Sequence, residues 1–222
     1  MDGAYNRPTL AMDKGMTLRR GLRGLYLITP DEPDCDLLLA RVQAVLPAKP
    51  ALLQYRNKRA DAATHRTQAI ALQAMCRQAD VPLVINDDWR LALDIGAAGA
   101  HLGEDDGDLV DARRAGPNLL LGASCYDEFE RARRARDAGA DYVAFGAFFP
   151  TASKATSRRA DVSLLQDAVA LGVMRVAIGG VRADNAKPLI AAGADLLAVI
   201  GAVFDATDPL AAARTFQTLF ET

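Results

Sequence analysis

A closed (β/α)8 barrel is the fold this sequence predicts, and three observations carry the prediction. From Gly24 onward the chain repeats one unit, a short apolar run with a polar tip followed by helical sequence, and it does so eight times. The runs are nearly continuous in apolar residues, as parallel strands covered on both faces require. No linker rich in Pro, Gly or Ser splits the series, so the eight units belong to one domain. A doubly wound open sheet is the alternative built from the same units; their even spacing favours closure.

The units run in order. LYLIT (25–29) stops at Pro30, and Asp36–Leu46 carries apolar residues at helical spacing. ALLQYRNK (51–58) leads to Asp61, an N-cap for a long helix over Ala62–Ala79. PLVIND (82–87) precedes a short helix, Trp89–Ile95, and AHLGED (100–105) precedes another around Leu109–Arg114. LLLGAS (119–124) precedes Asp127–Ala138, rich in helix formers and closed by Gly139 as a C-cap. DYVAFGAFF (141–149) gives way to a polar loop and then Val162–Leu171. VMRVAIGG (173–180) precedes Ala183–Ala192, and DLLAVIGAV (195–203) precedes Pro209–Phe220. Gly99-Ala100, Gly139-Ala140 and Gly193-Ala194 let helices turn sharply back into the sheet. Residues 1–20 read as a peripheral N-terminal arm ahead of a barrel over 21–222. They hold Asp13 and Lys14 and lack a continuous apolar segment, unlike a secretory signal.

Composition narrows the function. The net charge of −2 argues against bulk nucleic-acid or membrane-surface partners, so any anionic ligand must be met by local positive charge. Cys35, Cys76 and Cys125 are odd in number with no CxxC, which fits a reducing compartment, hence the cytoplasm. No apolar run approaches a membrane span. Small-molecule substrates are the expected partners, and assembly into a homo-oligomer is left open.

In such a barrel the active site lies at the carboxyl ends of the strands. With a period of two, the second run aims Leu52, Gln54, Arg56 and Lys58 one way and Leu53, Tyr55 and Asn57 the other. Two cations so placed repel unless an anion lies between them, and an Arg fork beside a Lys suits phosphate or pyrophosphate. Asp87 and Asp106, on neighbouring tips, are hard oxygen ligands that suit Mg2+ bridging a pyrophosphate; Asp105 could serve in place of Asp106, and Asp87 or Asp88 could instead cap a helix. Gly179-Gly180 and Gly201 expose backbone N–H groups ahead of helices, where barrels commonly hold a phosphate. The loop Phe149–Arg159 combines hydroxyls with Lys154, Arg158 and Arg159, fit to close over an anionic substrate or to lie as a basic surface loop. His65 reads as a helical surface residue far from the tips, His101 as a structural residue below the mouth, and Cys125 as a partly buried small residue with no His to activate it.

LYLITP, QYRNK, VINDD, HLGEDD, LGAS, DYVAFGAFFPTASK, VAIGGV and AVIGAV, in this order and spacing, resemble the thiamine phosphate synthase family from about Gly24 to the C-terminus. The resemblance implies a barrel enzyme coupling 4-amino-5-hydroxymethyl-2-methylpyrimidine pyrophosphate with 4-methyl-5-(2-hydroxyethyl)thiazole phosphate, releasing pyrophosphate with Mg2+. It implies that Gln54, Arg56, Lys58, Asn86 and Lys154 meet the pyrimidine pyrophosphate and that Asp87 and Asp106 carry Mg2+. Ser124 would lie near the pyrimidine and the departing pyrophosphate. Thr151 and Ser153, with backbone near Gly180, Ile200 and Gly201, would take the thiazole phosphate. The chain departs from the family at Ser153 (usually Thr), Glu104 (usually Gln) and Gly201 (usually Ser).

Residues and family together favour ionisation first: the electron-rich aminopyrimidine expels pyrophosphate, and the thiazole nitrogen captures the cation. That chemistry needs no protein nucleophile, only neutralisation of the leaving group by Mg2+, Arg56, Lys58 and Lys154. A thiazole tautomerase shares the barrel but uses a histidine, and no His follows His101. A non-catalytic phosphate-binding regulator is a third reading, fed by Ala152 and Gly201.

Overall fold

A computed structural model describes residues 21–103, 108–150 and 158–221. Eight parallel strands form a closed barrel in chain order: β1 (Gly24–Ile28), β2 (Leu52–Tyr55), β3 (Leu83–Asn86), β4 (Gly99–Leu102), β5 (Leu120–Tyr126), β6 (Tyr142–Phe145), β7 (Met174–Ile178) and β8 (Leu196–Val199), with β8 pairing back onto β1. Around them lie α1 (Cys35–Val45), α2 (Ala62–Ala79), α3 (Trp89–Ile95), α4 (Leu109–Ala115), α5 (Phe129–Asp137), α6 (Ser163–Asp167), α7 (Lys187–Ala191), α8 (Gly201–Phe204) and α9 (Pro209–Thr218). Among the described residues no helix is long and apolar enough to cross a membrane.

Alternation along each strand sorts two cores. Leu25, Leu27, Leu53, Tyr55, Val143 and Phe145 pack outward against the helices, whereas Tyr26, Ile28, Leu52, Val84, Tyr142 and Ala144 fill the lumen. The helices start where local chemistry stops the backbone. Asp34, Asp61, Asp88, Asp108 and Asp208 each accept an N–H of the following first turn as N-caps. At the opposite end of the barrel, two Asp residues rivet strand pairs. Asp141 accepts from the Leu121 N–H (2.8 Å) and from Arg113 (2.6 Å), and Asp195 accepts from the Arg175 N–H (2.8 Å) and its guanidinium.

Three segments are shorter as elements than their sequence suggests. The run 141–149 leaves the sheet after Phe145, because Phe148 and Phe149 donate their N–H groups to Ile178 and Gly179 at the tip of β7. The run 195–203 breaks at Ile200 and turns into α8, where Val203 and Phe204 are buried on the helix side. Only Lys187–Ala191 of the expected helix over 183–192 is helical, since Arg182 and Asn185 form a turn that Pro188 then converts into a helix start.

Candidate active site

The tip of β2 is held from below by β1. Thr29, fully buried, accepts from the Arg56 N–H (2.9 Å) and donates to the Arg56 carbonyl (2.8 Å). Asp31 accepts two bonds from Arg56 Nη1, at 2.8 and 3.0 Å, and one from the Lys58 N–H at 2.8 Å. Because Asp31 takes only Nη1, Nη2 and Nε of the same fork have no partner among the described residues. Lys58 Nζ pairs with Asp87 Oδ2. The anions beside the two cations are the chain's own carboxylates, Asp31 and Asp87. On the outer face, Asn57 donates to Gln68 (3.0 Å) and to the Glu32 carbonyl (2.5 Å), fastening the strand tip to α2 and the first loop.

Inside the lumen, the predicted residues of β2 and β5 are joined by a chain of side chains. Gln54 Nε2 lies 2.7 Å from the Tyr26 hydroxyl, which lies 2.7 Å from the Tyr142 hydroxyl. The latter is 3.1 Å from His101 Nδ1, and His101 Nε2 is 2.9 Å from Ser124 Oγ. Gly122 makes room for this path, since a Cβ there would lie 1.9 Å from the Tyr142 ring. Burial pushes both tyrosine hydroxyls well above their ordinary pKa and lowers that of His101 to about 4, so all three are neutral at pH 7.

Both histidine expectations are corrected. His101 is not below the mouth: its ring reaches Ser124, and its carbonyl accepts the Asp87 N–H at 2.8 Å. The strand is so short that its beginning lies within one residue pair of the tip. His65 is not a detached surface residue either. It stacks on Tyr55 with ring centroids 4.7 Å apart, and burial lowers its pKa while Asp88 and Asp87 act the other way. It flanks a groove of ≈ 520 Å³ between α2 and α3 that also includes Arg66, Asp88 and Asp94, outside the strands. Cys125 is buried completely, with its thiol pushed up to about 12.

Asn86 ends β3 on the lumen parity set by Val84. Asp87 follows with φ +66°, a left-handed turn that aims its carboxylate back at Lys58, while Asp88 is the residue that caps α3. Among the described residues no group of three or more His, Cys, Asp or Glu could hold a metal. Asp87 is a hard-oxygen donor at this tip, of the type that suits a divalent cation keeping several water ligands rather than an all-protein cage. Glu104, Asp105, Asp106, Thr151, Ala152, Ser153 and Lys154 lie outside the described residues.

Gly179 and Gly180 sit at φ +94° and +66°, and a Cβ on Gly180 would come within 2.3 Å of the Pro150 carbonyl. These glycines let the strand 6 loop lie directly on the tip of β7. The N–H groups of Gly180 and Gly201 donate to no acceptor among the described residues, and Ile200, Gly201 and Gly180 are partly exposed at one end of the barrel. The sequence reading missed Thr29, Asp31, Tyr26 and Tyr142. The signal for the tyrosines was available, because Tyr26 and Tyr142 share the lumen parity of their strands.

The profile of a family described as thiamine monophosphate synthase matches residues 25–203. A chain from Xanthomonas campestris pv. campestris named thiamine-phosphate synthase is 53% identical over 208 residues, covering 92% of this chain and 99% of its own. One of the same name from Aromatoleum aromaticum is 54% identical over 202 residues, covering 90% and 97%. The structure of a thiamine phosphate pyrophosphorylase from Pyrococcus furiosus superposes with a TM-score of 0.80 at 31% identity, over 92% of this chain and 98% of that one.

Proposed function

The chain belongs to the thiamine monophosphate synthase family, and from that premise we propose that it is a transferase joining 4-amino-5-hydroxymethyl-2-methylpyrimidine pyrophosphate to 4-methyl-5-(2-hydroxyethyl)thiazole phosphate, with release of pyrophosphate. The observation that carries the reading is the gathering of Gln54, Arg56, Lys58, Asn86, Asp87 and Ser124 at the carboxyl ends of β2, β3 and β5, with two cations already aimed. In this reading Arg56 offers Nη2 and Nε to the pyrophosphate while Asp31 holds the fork by Nη1. Lys58 turns from Asp87 to the same anion. Asp87 and, beyond the described residues, Asp106 would hold Mg2+, which would neutralise charge on the leaving group. Lys154 adds a further cation from the strand 6 loop, with Thr151, Ser153 and the backbone at Gly180, Ile200 and Gly201 receiving the thiazole phosphate.

The chemistry runs by ionisation. Buried Cys125 is a thiol at pH 7 and His101 is engaged at both nitrogens, so neither is placed to act as a nucleophile. What the chain supplies is charge aimed at the departing pyrophosphate and a shaped lumen that holds the pyrimidine. The three free thiols fit a reducing compartment, and the cytoplasm is the proposed location. The direct test mixes the two substrates with Mg2+ and the folded protein and measures thiamine phosphate by fluorescence after oxidation. Absence of product at saturating substrates would refute the assignment.

A further inference from the structure

β5 loses its regular pairing with β6 just after Ser124. Ser124 stands opposite Ala144, but the next pair is Tyr126 with Phe145, so Cys125 is an extra residue in the ladder, a bulge. Ala144 faces the lumen, whereas Phe145 faces the helices. The bulge therefore takes Tyr126 off the lumen parity it would share with Ser124 and delivers it to the outer side. Tyr126 completes this turn at φ +54°, a left-handed backbone that is rare for a bulky side chain. Its carbonyl accepts the Gly146 N–H at 2.9 Å, which ties the turn to the end of β6. An aromatic residue held in such a conformation at a strand tip points to a use for its ring.

That ring carries two guanidinium groups. Arg158 lies 4.5 Å from its centroid, and Arg131, in the first turn of α5, lies 5.3 Å from it. Arg158 is balanced by Glu128, whose Oε1 is 3.3 Å from Nη1. Arg131 also donates from Nε to the Ser124 carbonyl at 2.8 Å. A bulge disrupts the ladder locally, and the guanidinium grips the backbone at that point. The carbonyl it grips belongs to the residue whose hydroxyl enters the lumen beside His101. We propose that Arg131, braced on the Tyr126 ring, is a positioning residue that fixes the backbone of Ser124 and through it the direction of Ser124 Oγ. Loss of the grip frees the bulge to turn Ser124 away from the site while the barrel stays closed. The inference rests on the reading of Ser124 as a substrate residue and goes beyond it, to side chains that stand behind the strand tip.

The test is a double-mutant cycle read by calorimetry, with the pyrimidine pyrophosphate and Mg2+ present and the thiazole phosphate omitted so that no coupling occurs. In variants checked for native melting, Ser124→Ala and Arg131→Leu should each weaken binding about five- to tenfold, the weight of one hydrogen bond. On the Ser124→Ala background, Arg131→Leu should add no more than about twofold, because no hydroxyl remains to be aimed. An action of Arg131 through its charge, or through general stability, would persist in that background. An undiminished loss there overturns the proposal, and so does wild-type affinity in Arg131→Leu or in Ser124→Ala. Tyr126→Asn is the second variant, since Asn tolerates the left-handed backbone and removes the ring. It should repeat the Arg131→Leu result, including its disappearance on the Ser124→Ala background, even if Arg131→Leu fails to fold. Wild-type affinity in folded Tyr126→Asn overturns the bracing role. The predicted cycle in a protein that makes no thiamine phosphate would leave the positioning role standing and remove the proposed reaction.

Discussion

Two glycines with nearly the same backbone angle give a controlled measurement of how tightly the strand 6 loop is seated. Gly172 has φ +68° and Gly180 has φ +66°, but a Cβ on Gly172 meets nothing within 4 Å. One on Gly180 would lie 2.3 Å from the Pro150 carbonyl oxygen and 2.8 Å from both Cβ and the carbonyl oxygen of Phe149. Gly172→Ala therefore carries only the left-handed penalty, about 1 kcal/mol. Gly180→Ala carries the same penalty plus backbone displacement, since a carbonyl cannot swing aside like a side chain, for a total of about 2–4 kcal/mol. For a chain of this size the extra displacement amounts to a further fall in Tm of roughly 2–4 °C per kcal/mol. The assay is the urea midpoint of both variants at unchanged slope, followed by KM for the thiazole phosphate. Gly180→Ala should raise that KM while Gly172→Ala should not. Equal midpoint shifts in the two variants would show that the loop does not lie on the tip of β7.

Arg56→Ala should weaken inorganic pyrophosphate binding by about 1.5–3 kcal/mol, the range for a charge-assisted hydrogen bond; calorimetry reads it, and an unchanged Kd removes Arg56 from the site. Excess chelator should abolish turnover, and Asp87→Ala should raise the Mg2+ requirement. Asp106→Ala should match it; damage from Asp105→Ala in its place would move the second ligand by one residue, and full activity in chelator ends the metal proposal. A trifluoromethyl group in place of the 2-methyl of the pyrimidine should slow single turnover by orders of magnitude, each factor of ten being about 1.36 kcal/mol of barrier; equal rates with chemistry limiting rule out the cation. Lastly, His101 is held neutral in the fold with its pKa lowered to about 4, whereas the unfolded chain protonates near 6.5, so U binds the proton first. Stability is thus complete above about pH 6.5 and falls as pH drops toward 4, by up to about 3 kcal/mol. His101→Gln should flatten urea midpoints in that window, and a wild-type-to-variant difference constant from pH 7 to 4.5 contradicts the reasoning.

The closed barrel was legible because each unit announces itself locally: Asp61 and Asp88 read as caps, and the parity of QYRNK sets Gln54 in the lumen and Asn57 behind it. What stayed hidden depends on register between strands. Nothing local tells that Thr29 and Asp31 stand beside Arg56, since that follows from the β1–β2 pairing, Ile28 against Gln54. His65 was misplaced for a general reason. A helix that follows a strand begins at the mouth, so its first turn stays near the tips even when its sequence looks like solvent-facing helix. The overlong runs ending at Phe149 and Val203 show the converse, in that burial alone does not distinguish a strand from the segment packed on its end.

The seam between β1 and β8 has a consequence for the newborn chain. Gln217 of α9 accepts from the Leu25 N–H and donates to the Lys49 carbonyl, so the last helix helps clasp the first strand. Pairings between such distant segments form late, because the intervening polypeptide must first be gathered in. Without β8 the ring is open between β7 and β1, although Arg56, Lys58 and Ser124 all precede it in the chain. A chain that stops before Leu196 lacks the strand that joins β7 to β1. Such a chain would present two unpaired sheet edges, of β1 and of β7, and unpaired edges are templates for aggregation.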